Sequence, residues 1–136
     1  MEQFVADTNA LIWHLTQDPL LGEGAKKTLQ RADRGEVIVH IPAISLFEMV
    51  YLSERPTPPI SRSQVEQLLE QLRPDGSYRI SALDEQVIRH GFEIPRDQVP
   101  DMPDRAIAAT ALALGFPLLT KDERLHNWRG VPLVWD

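Results

Sequence analysis

Four carboxylates stand out by position: Asp7, Glu48, Asp104 and Asp122. Asp7 follows the apolar run Phe4-Val5-Ala6, and Asp122 follows Leu118-Leu119-Thr120. Asp104 lies in the first turn of an alanine-rich helical segment, and Glu48 lies inside the apolar stretch Ala43–Leu52. Strand ends and helix starts meet at the carboxyl edge of a parallel sheet, where open α/β folds bind ligands. Carboxylates gathered there suit a hard divalent cation such as Mg²⁺, and surplus acids can hold a second ion or position and deprotonate a water. Crowded carboxylates also repel one another, so without metal at least one should have a raised pKa. Thr8, Asn9, Ser45 and Thr120 are neutral oxygen-bearing neighbours, suited to holding metal-bound waters.

Each acid also has a simpler reading. Asp7 and Asp122 suit helix N-caps, worth about 1 kcal/mol apiece. Asp101 and Asp104 fall at a helix start, where the first caps and the second complements the dipole. Glu48 is harder to explain away. Ser45 and Glu48 are the only plainly polar residues between Ala43 and Leu52, and apolar residues run right round the helix, which predicts burial on most sides. The two are one turn apart and share a face. An ionised glutamate in such a helix needs a cation or several hydrogen-bond donors, because an unpaired buried charge costs several kcal/mol. Either an arginine or a metal must answer it.

The elements that position these acids alternate. A strand over Phe4–Ala6 precedes a helix over Thr8–Leu15, and a helix over Glu23–Arg34 precedes a strand over Val37–Ile41. A helix over Ala43–Ser53 follows. Pro56, Pro58 and Pro59 make a stiff connection, and Ser63 with Glu66 predicts a capping box for a helix carrying Val65, Leu68, Leu69 and Leu72. A strand over Tyr78–Ser81, a short helix capped by Asp84, a helix over Pro103–Leu114, a strand over Phe116–Thr120, a short helix from Asp122 and a strand over Val131–Trp135 complete the chain. Such alternation predicts an α/β domain with a largely parallel sheet.

With 136 residues, 43% hydrophobic and 25% charged, the chain is expected to form one domain over residues 1–136. No apolar run is long enough to cross a membrane, and the first residues lack the pattern of a signal peptide. The absence of cysteine excludes disulfides and thiolate-held metals, in keeping with a cytoplasmic protein. His14, His40, His90 and His126 match no ligand spacing. A net charge of −6 argues against broad, non-specific nucleic-acid binding, although bound divalent ions would reverse that at an acidic centre.

In order and spacing, Asp7-Thr8-Asn9, Ser45 with Glu48, Asp101-Met102-Pro103-Asp104-Arg105 and Leu118-Leu119-Thr120-Lys121-Asp122 resemble the PIN-domain family, and within it the VapC-type toxins of bacterial toxin–antitoxin pairs. The resemblance covers essentially the whole chain. It implies a three-layer α/β/α fold and a Mg²⁺- or Mn²⁺-dependent endoribonuclease, with Asp7, Glu48, Asp104 and Asp122 as the catalytic and metal-holding acids and Asp101 as an additional acid. Water is then the nucleophile, leaving a 5′-phosphate and a 3′-hydroxyl on the RNA. A small antitoxin and a second copy of the chain are the implied partners. Arg105, Lys121 and Arg124 are close in sequence to the acids and are read either as phosphate contacts or as solvated surface charges. A phosphatase using Asp7 as nucleophile would want a second Asp where Asn9 stands, and two other readings compete: a receiver-like module accepting phosphate on Asp7, and a PIN fold kept only for binding RNA. The first lacks the acid pair expected after strand one. The second is disfavoured by the complete set of four acids.

Overall fold

The computed structural model describes residues 1–136. Its strands are β1 (Gln3–Ala6), β2 (Ile38–Pro42), β3 (Tyr78–Ser81), β4 (Leu118–Leu119) and β5 (Leu133–Val134). They form one sheet in the order β3-β2-β1-β4-β5, and every neighbouring pair is parallel. Parallel neighbours need crossovers, and helices supply them. Helices α1 (Thr8–Leu15) and α2 (Glu23–Asp33) join β1 to β2, and α3 (Ala43–Ser53) and α4 (Arg62–Gln71) join β2 to β3. From β3, helix α5 (Glu85–His90), a 3₁₀ turn at Gly91–Glu93 and α6 (Met102–Leu114) lead to β4, and α7 (Glu123–Trp128) leads on to β5. The chain builds outward from β1 on one side, then returns to add β4 on the other. Strand order therefore reverses between β1 and β4, which is where a ligand crevice is expected.

The period of two in the strands builds the layers. Phe4 and Ala6 of β1 join Leu11, Leu29, Val39, Ile41, Met49 and Leu119 in one buried cluster. Val5, between them, joins Ile107, Ala108, Ala111, Leu118 and Leu125 in another. Helices thus cover both faces of the sheet, as the expected three-layer α/β/α class requires. The alanines of α6 keep that helix close to the central strand, and Gly115 ends it in the left-handed conformation at φ 75°. No helix is long and apolar enough to cross a membrane.

Two local expectations need correction. The capping box of α4 is Ser61 with Gln64, not Ser63 with Glu66: Ser61 Oγ accepts the Gln64 N–H at 3.1 Å, and Gln64 Oε1 accepts the Ser61 N–H at 2.9 Å. Both spacings fit the sequence rule. Only the earlier start flanks the cap with apolar residues, Ile60 before it and Val65 four positions into the helix, both in the same buried cluster. Glu66 instead takes Arg62 at 2.7 Å. The second correction concerns α3, which is not buried on most sides. Ser45, Leu46 and Met49 are buried, but Phe47 and Tyr51 are 61% and 67% exposed, because α3 packs on α1, α4 and α6 with only part of its circumference.

The end of the chain closes the start of α2. No side chain caps that helix at Gly22; the Trp135 carbonyl accepts the Ala25 N–H at 3.0 Å. A Cβ at Gly22 would lie 2.3 Å from the same carbonyl oxygen. Gly22→Ala is therefore expected to destabilise the fold by about 1–3 kcal/mol. At Gly91, with φ −56° and nothing near the Cβ position, alanine should be neutral or stabilising by up to about 1 kcal/mol. Urea denaturation of the two variants checks this; equal stability for both would contradict the closure.

Candidate active site

Each carboxylate is placed by a different local device. Asp7 ends β1 and is buried, and its Oδ1 accepts the Ala10 N–H at 2.8 Å as the N-cap of α1. Asp122 follows β4 and caps α7, with Oδ1 accepting the Arg124 N–H at 2.8 Å and the Leu125 N–H at 3.2 Å. Between β4 and Asp122 lies the fully buried Thr120, whose hydroxyl accepts the Asp122 N–H at 3.0 Å. Its carbonyl lies 2.9 Å from His126 Nε2, which steadies the strand end. Asp104 is in the first turn of α6, half-buried, with Asp101 as the N-cap at a long 3.4 Å. Glu48, in the middle of α3, has no helix-end amide to hold it; its Oε1 accepts the Thr8 hydroxyl at 2.7 Å. The capping reading of Asp7, Asp101 and Asp122 is therefore correct, and it does not compete with their convergence. The cap bonds help to aim the carboxylates.

The acids share one electrostatic field. Burial raises the Asp7 carboxyl to about 6, the Thr120 hydroxyl and Ala10 amide pull it back, and the charges of Asp122 and Glu48 push it further up. Burial likewise raises Asp104 to about 7, with the charges of Asp122, Asp101 and Asp7 adding to the effect. No lysine, arginine or histidine forms an ion pair with any of Asp7, Glu48, Asp104 or Asp122; the ion pairs of this chain lie elsewhere. Of the answers to Glu48 that the sequence left open, the arginine is absent and a single neutral donor, the Thr8 hydroxyl, is present.

The other candidates scatter around this centre. Ser45 is fully buried on α3 with a hydroxyl that has no partner, and Asn9 is exposed. Lys121 is exposed, its ammonium 5.7 Å from the centroid of the Trp13 ring, and Arg124 is exposed beside Asp122. Arg105 is turned to different surroundings. It lines an apolar groove between α5 and α6 with Leu83, Ile88 and Met102, and its buried Nε has no acceptor. The Thr8–Glu48 bond and the Trp13 contact to Lys121 were not visible in the sequence, because nothing local links residues 40 or 108 positions apart.

A hard divalent cation fits this donor set. The candidate donors are carboxylate oxygens, and no protein cation forms an ion pair with them. No three His, Asp or Glu side chains are drawn into a closed cage for one ion. Mg²⁺ does not require such a cluster, because it keeps several waters and is usually held by one or two carboxylates together with substrate phosphates.

The sequence model of the PIN domain matches residues 4–130 of this chain. The chain belongs to the PIN domain family. Ribonuclease VapC22 of Mycobacterium tuberculosis is 28% identical to this PIN domain over 132 residues, 95% of this chain and 94% of that protein. Among solved structures, VapBC2 from Rickettsia felis bound to a DNA fragment from their promoter superposes with a TM-score of 0.72 at 18% identity, covering 98% of this chain and 99% of that one. DNA-bound VapBC from Salmonella typhimurium superposes with a TM-score of 0.71 at 20% identity, over 98% and 97%. The likeness to these structures bears out the expected fold, and membership of the family sets aside the receiver-like reading.

The raised carboxyls give the metal-free PIN domain a defined pH response. An acid whose folded pKa lies above its unfolded value binds more protons in the folded state, so stability falls as pH rises between the two values. The windows run from the ordinary value of 3.8 to about 6 for Asp7 and to about 7 for Asp104. In chelator, the melting temperature is expected to fall from pH 5 to pH 7.5. A melting temperature that rises through this window would contradict the burial of both acids.

Proposed function

We propose that this PIN domain is a Mg²⁺- or Mn²⁺-dependent endoribonuclease, acting in the cytoplasm as the toxin of a toxin–antitoxin pair. The observation that carries the reading is the group of four carboxylates at the crossover between β1 and β4, which no protein cation answers. Asp7, Glu48, Asp104 and Asp122 are the residues that would hold the ion. Bound there, it would supply Lewis-acid polarisation of the scissile phosphate and lower the pKa of an attacking water. The protein's own part is to fix the acids in advance: helix amides hold Asp7 and Asp122, and a hydroxyl holds Glu48. Any carboxylate not engaged as a ligand is available to accept the proton of the attacking water. With Asp101 alongside, the centre has more acids than one ion needs.

The likeness to a protein named a ribonuclease supports RNA as substrate, and the VapBC complexes support a small antitoxin as partner. Lys121 and Arg124, exposed and without ion pairs, are suited to flanking phosphates. The groove that Arg105 lines, with exposed Ile88, Phe92 and Met102, supports pairing with a second copy of the chain better than a phosphate contact for that arginine.

Incubation of the purified chain with total RNA in Mg²⁺, Mn²⁺ or EDTA tests the reading. Discrete fragments with 5′-phosphates are expected in either metal and none in EDTA. Asp7→Asn should lower cleavage by more than the roughly 10- to 100-fold that loss of an outer-shell partner costs, while the fold is kept. Undiminished cleavage by a folded Asp7→Asn protein would remove Asp7 from the site.

A further inference from the structure

Three of the four acids stand at helix starts, and for Asp7 and Asp122 a backbone amide fixes the carboxylate. Glu48 differs in two respects. It lies in the middle of α3, where every nearby amide is used within the helix, and it has the longer and more freely rotating side chain. Ordering such a side chain costs rotamer freedom, so a carboxylate that must meet an ion at a set place needs an anchor.

The single anchor observed is the Thr8 hydroxyl, 2.7 Å from Glu48 Oε1 across 40 residues of sequence. Thr8 itself is buried, 7% exposed, in the first turn of α1. A hydroxyl in that position commonly bonds to local backbone; this one does not. Its only proton goes to Glu48, so Thr8 has no proton left to donate to a water or a substrate phosphate. Its oxygen can still accept from a metal-bound water, the role expected from the sequence. The bond leaves Glu48 Oε2 free of this contact. It also joins α1 to α3 beside Asp7, so one turn of chain supplies an acid and aims another.

We infer that Thr8 is a positioning residue, whose hydroxyl holds the Glu48 carboxylate in the orientation that receives the divalent ion. The inference rests on the metal-dependent reading above, but its first test does not. In the metal-free protein, ¹³C relaxation of the Glu48 methylenes reports how well that side chain is ordered. Thr8→Val removes the hydroxyl at nearly constant volume, and Thr8→Ser restores it; circular dichroism checks that both are folded. Glu48 should become mobile in Thr8→Val and remain ordered in Thr8→Ser. Equal order of Glu48 in Thr8→Val and the unmodified chain would overturn the assignment.

The second readout is binding of Mn²⁺ alone, followed by water-proton relaxation. Thr8→Val should bind about 10-fold more weakly, the lower end of the effect of losing an outer-shell partner, and Thr8→Ser within about threefold of the unmodified chain. Unchanged Mn²⁺ affinity in Thr8→Val would overturn the role toward the ion. If Glu48 loosens in Thr8→Val while the unmodified chain binds no Mn²⁺ and cleaves no RNA, the positioning role stands and the nuclease reading falls.

Discussion

The constraint on which the rest of this structure depends is a partly buried negative charge that the protein does not neutralise. Asp7 and Asp104 are held in surroundings that raise both carboxyls toward neutral pH, and each feels the charge of Asp122. A protein selected for stability alone would place an arginine here or replace the acids with apolar side chains. This chain has 14 lysines and arginines, and none forms an ion pair with the four acids. Like-charge repulsion of this kind persists in folded proteins where an external cation or a reaction makes use of it.

The fold makes the arrangement tolerable by anchoring each acid to something rigid. The parallel sheet puts the ends of β1 and β4 side by side, and the reversal of strand order between them is where a ligand crevice is expected. Backbone amides at the starts of α1 and α7 donate to the carboxylates of Asp7 and Asp122 as favourable capping partners. The stability lost by crowding is thus offset in part by the bonds that produce the crowding. Packing away from the site holds the frame: two apolar clusters clamp β1 from both faces, and the Trp135 carbonyl fixes the start of α2.

Much of this was legible in the sequence because it depends on local pattern. The strand-helix alternation and the caps at Asp7, Asp101 and Asp122 are written in neighbouring residues. Position at strand ends and at a helix start singled out Asp7, Asp122 and Asp104, and the apolar residues around it singled out Glu48. What escaped was whatever depends on contacts between distant segments. Ser61 and Ser63 fit the capping rule equally well, and burial of Ile60 decides between them. The apolar circumference of α3 predicted burial, yet the helix has neighbours on only part of it, so Phe47 and Tyr51 stay exposed. Arg105 adjoins Asp104 in sequence, but the helical turn directs it to the groove beside α5. The Thr8–Glu48 bond joins α1 to α3 across the intervening α2 and β2, a contact that no spacing rule could reveal.

We propose that the acidic centre lowers the stability of the metal-free fold in order to bind a divalent ion. Thermal melting of the chain and of Asp104→Asn at pH 7.5, each in chelator and then across a Mg²⁺ titration, tests it most directly. Removing one of the repelling charges should leave Asp104→Asn more stable than the unmodified chain in chelator. A ligand that binds only the folded state stabilises it by mass action, so Mg²⁺ should raise the melting temperature of the unmodified chain and raise that of the variant less. A variant less stable than the unmodified chain in chelator, together with no response of either to Mg²⁺, would contradict the account.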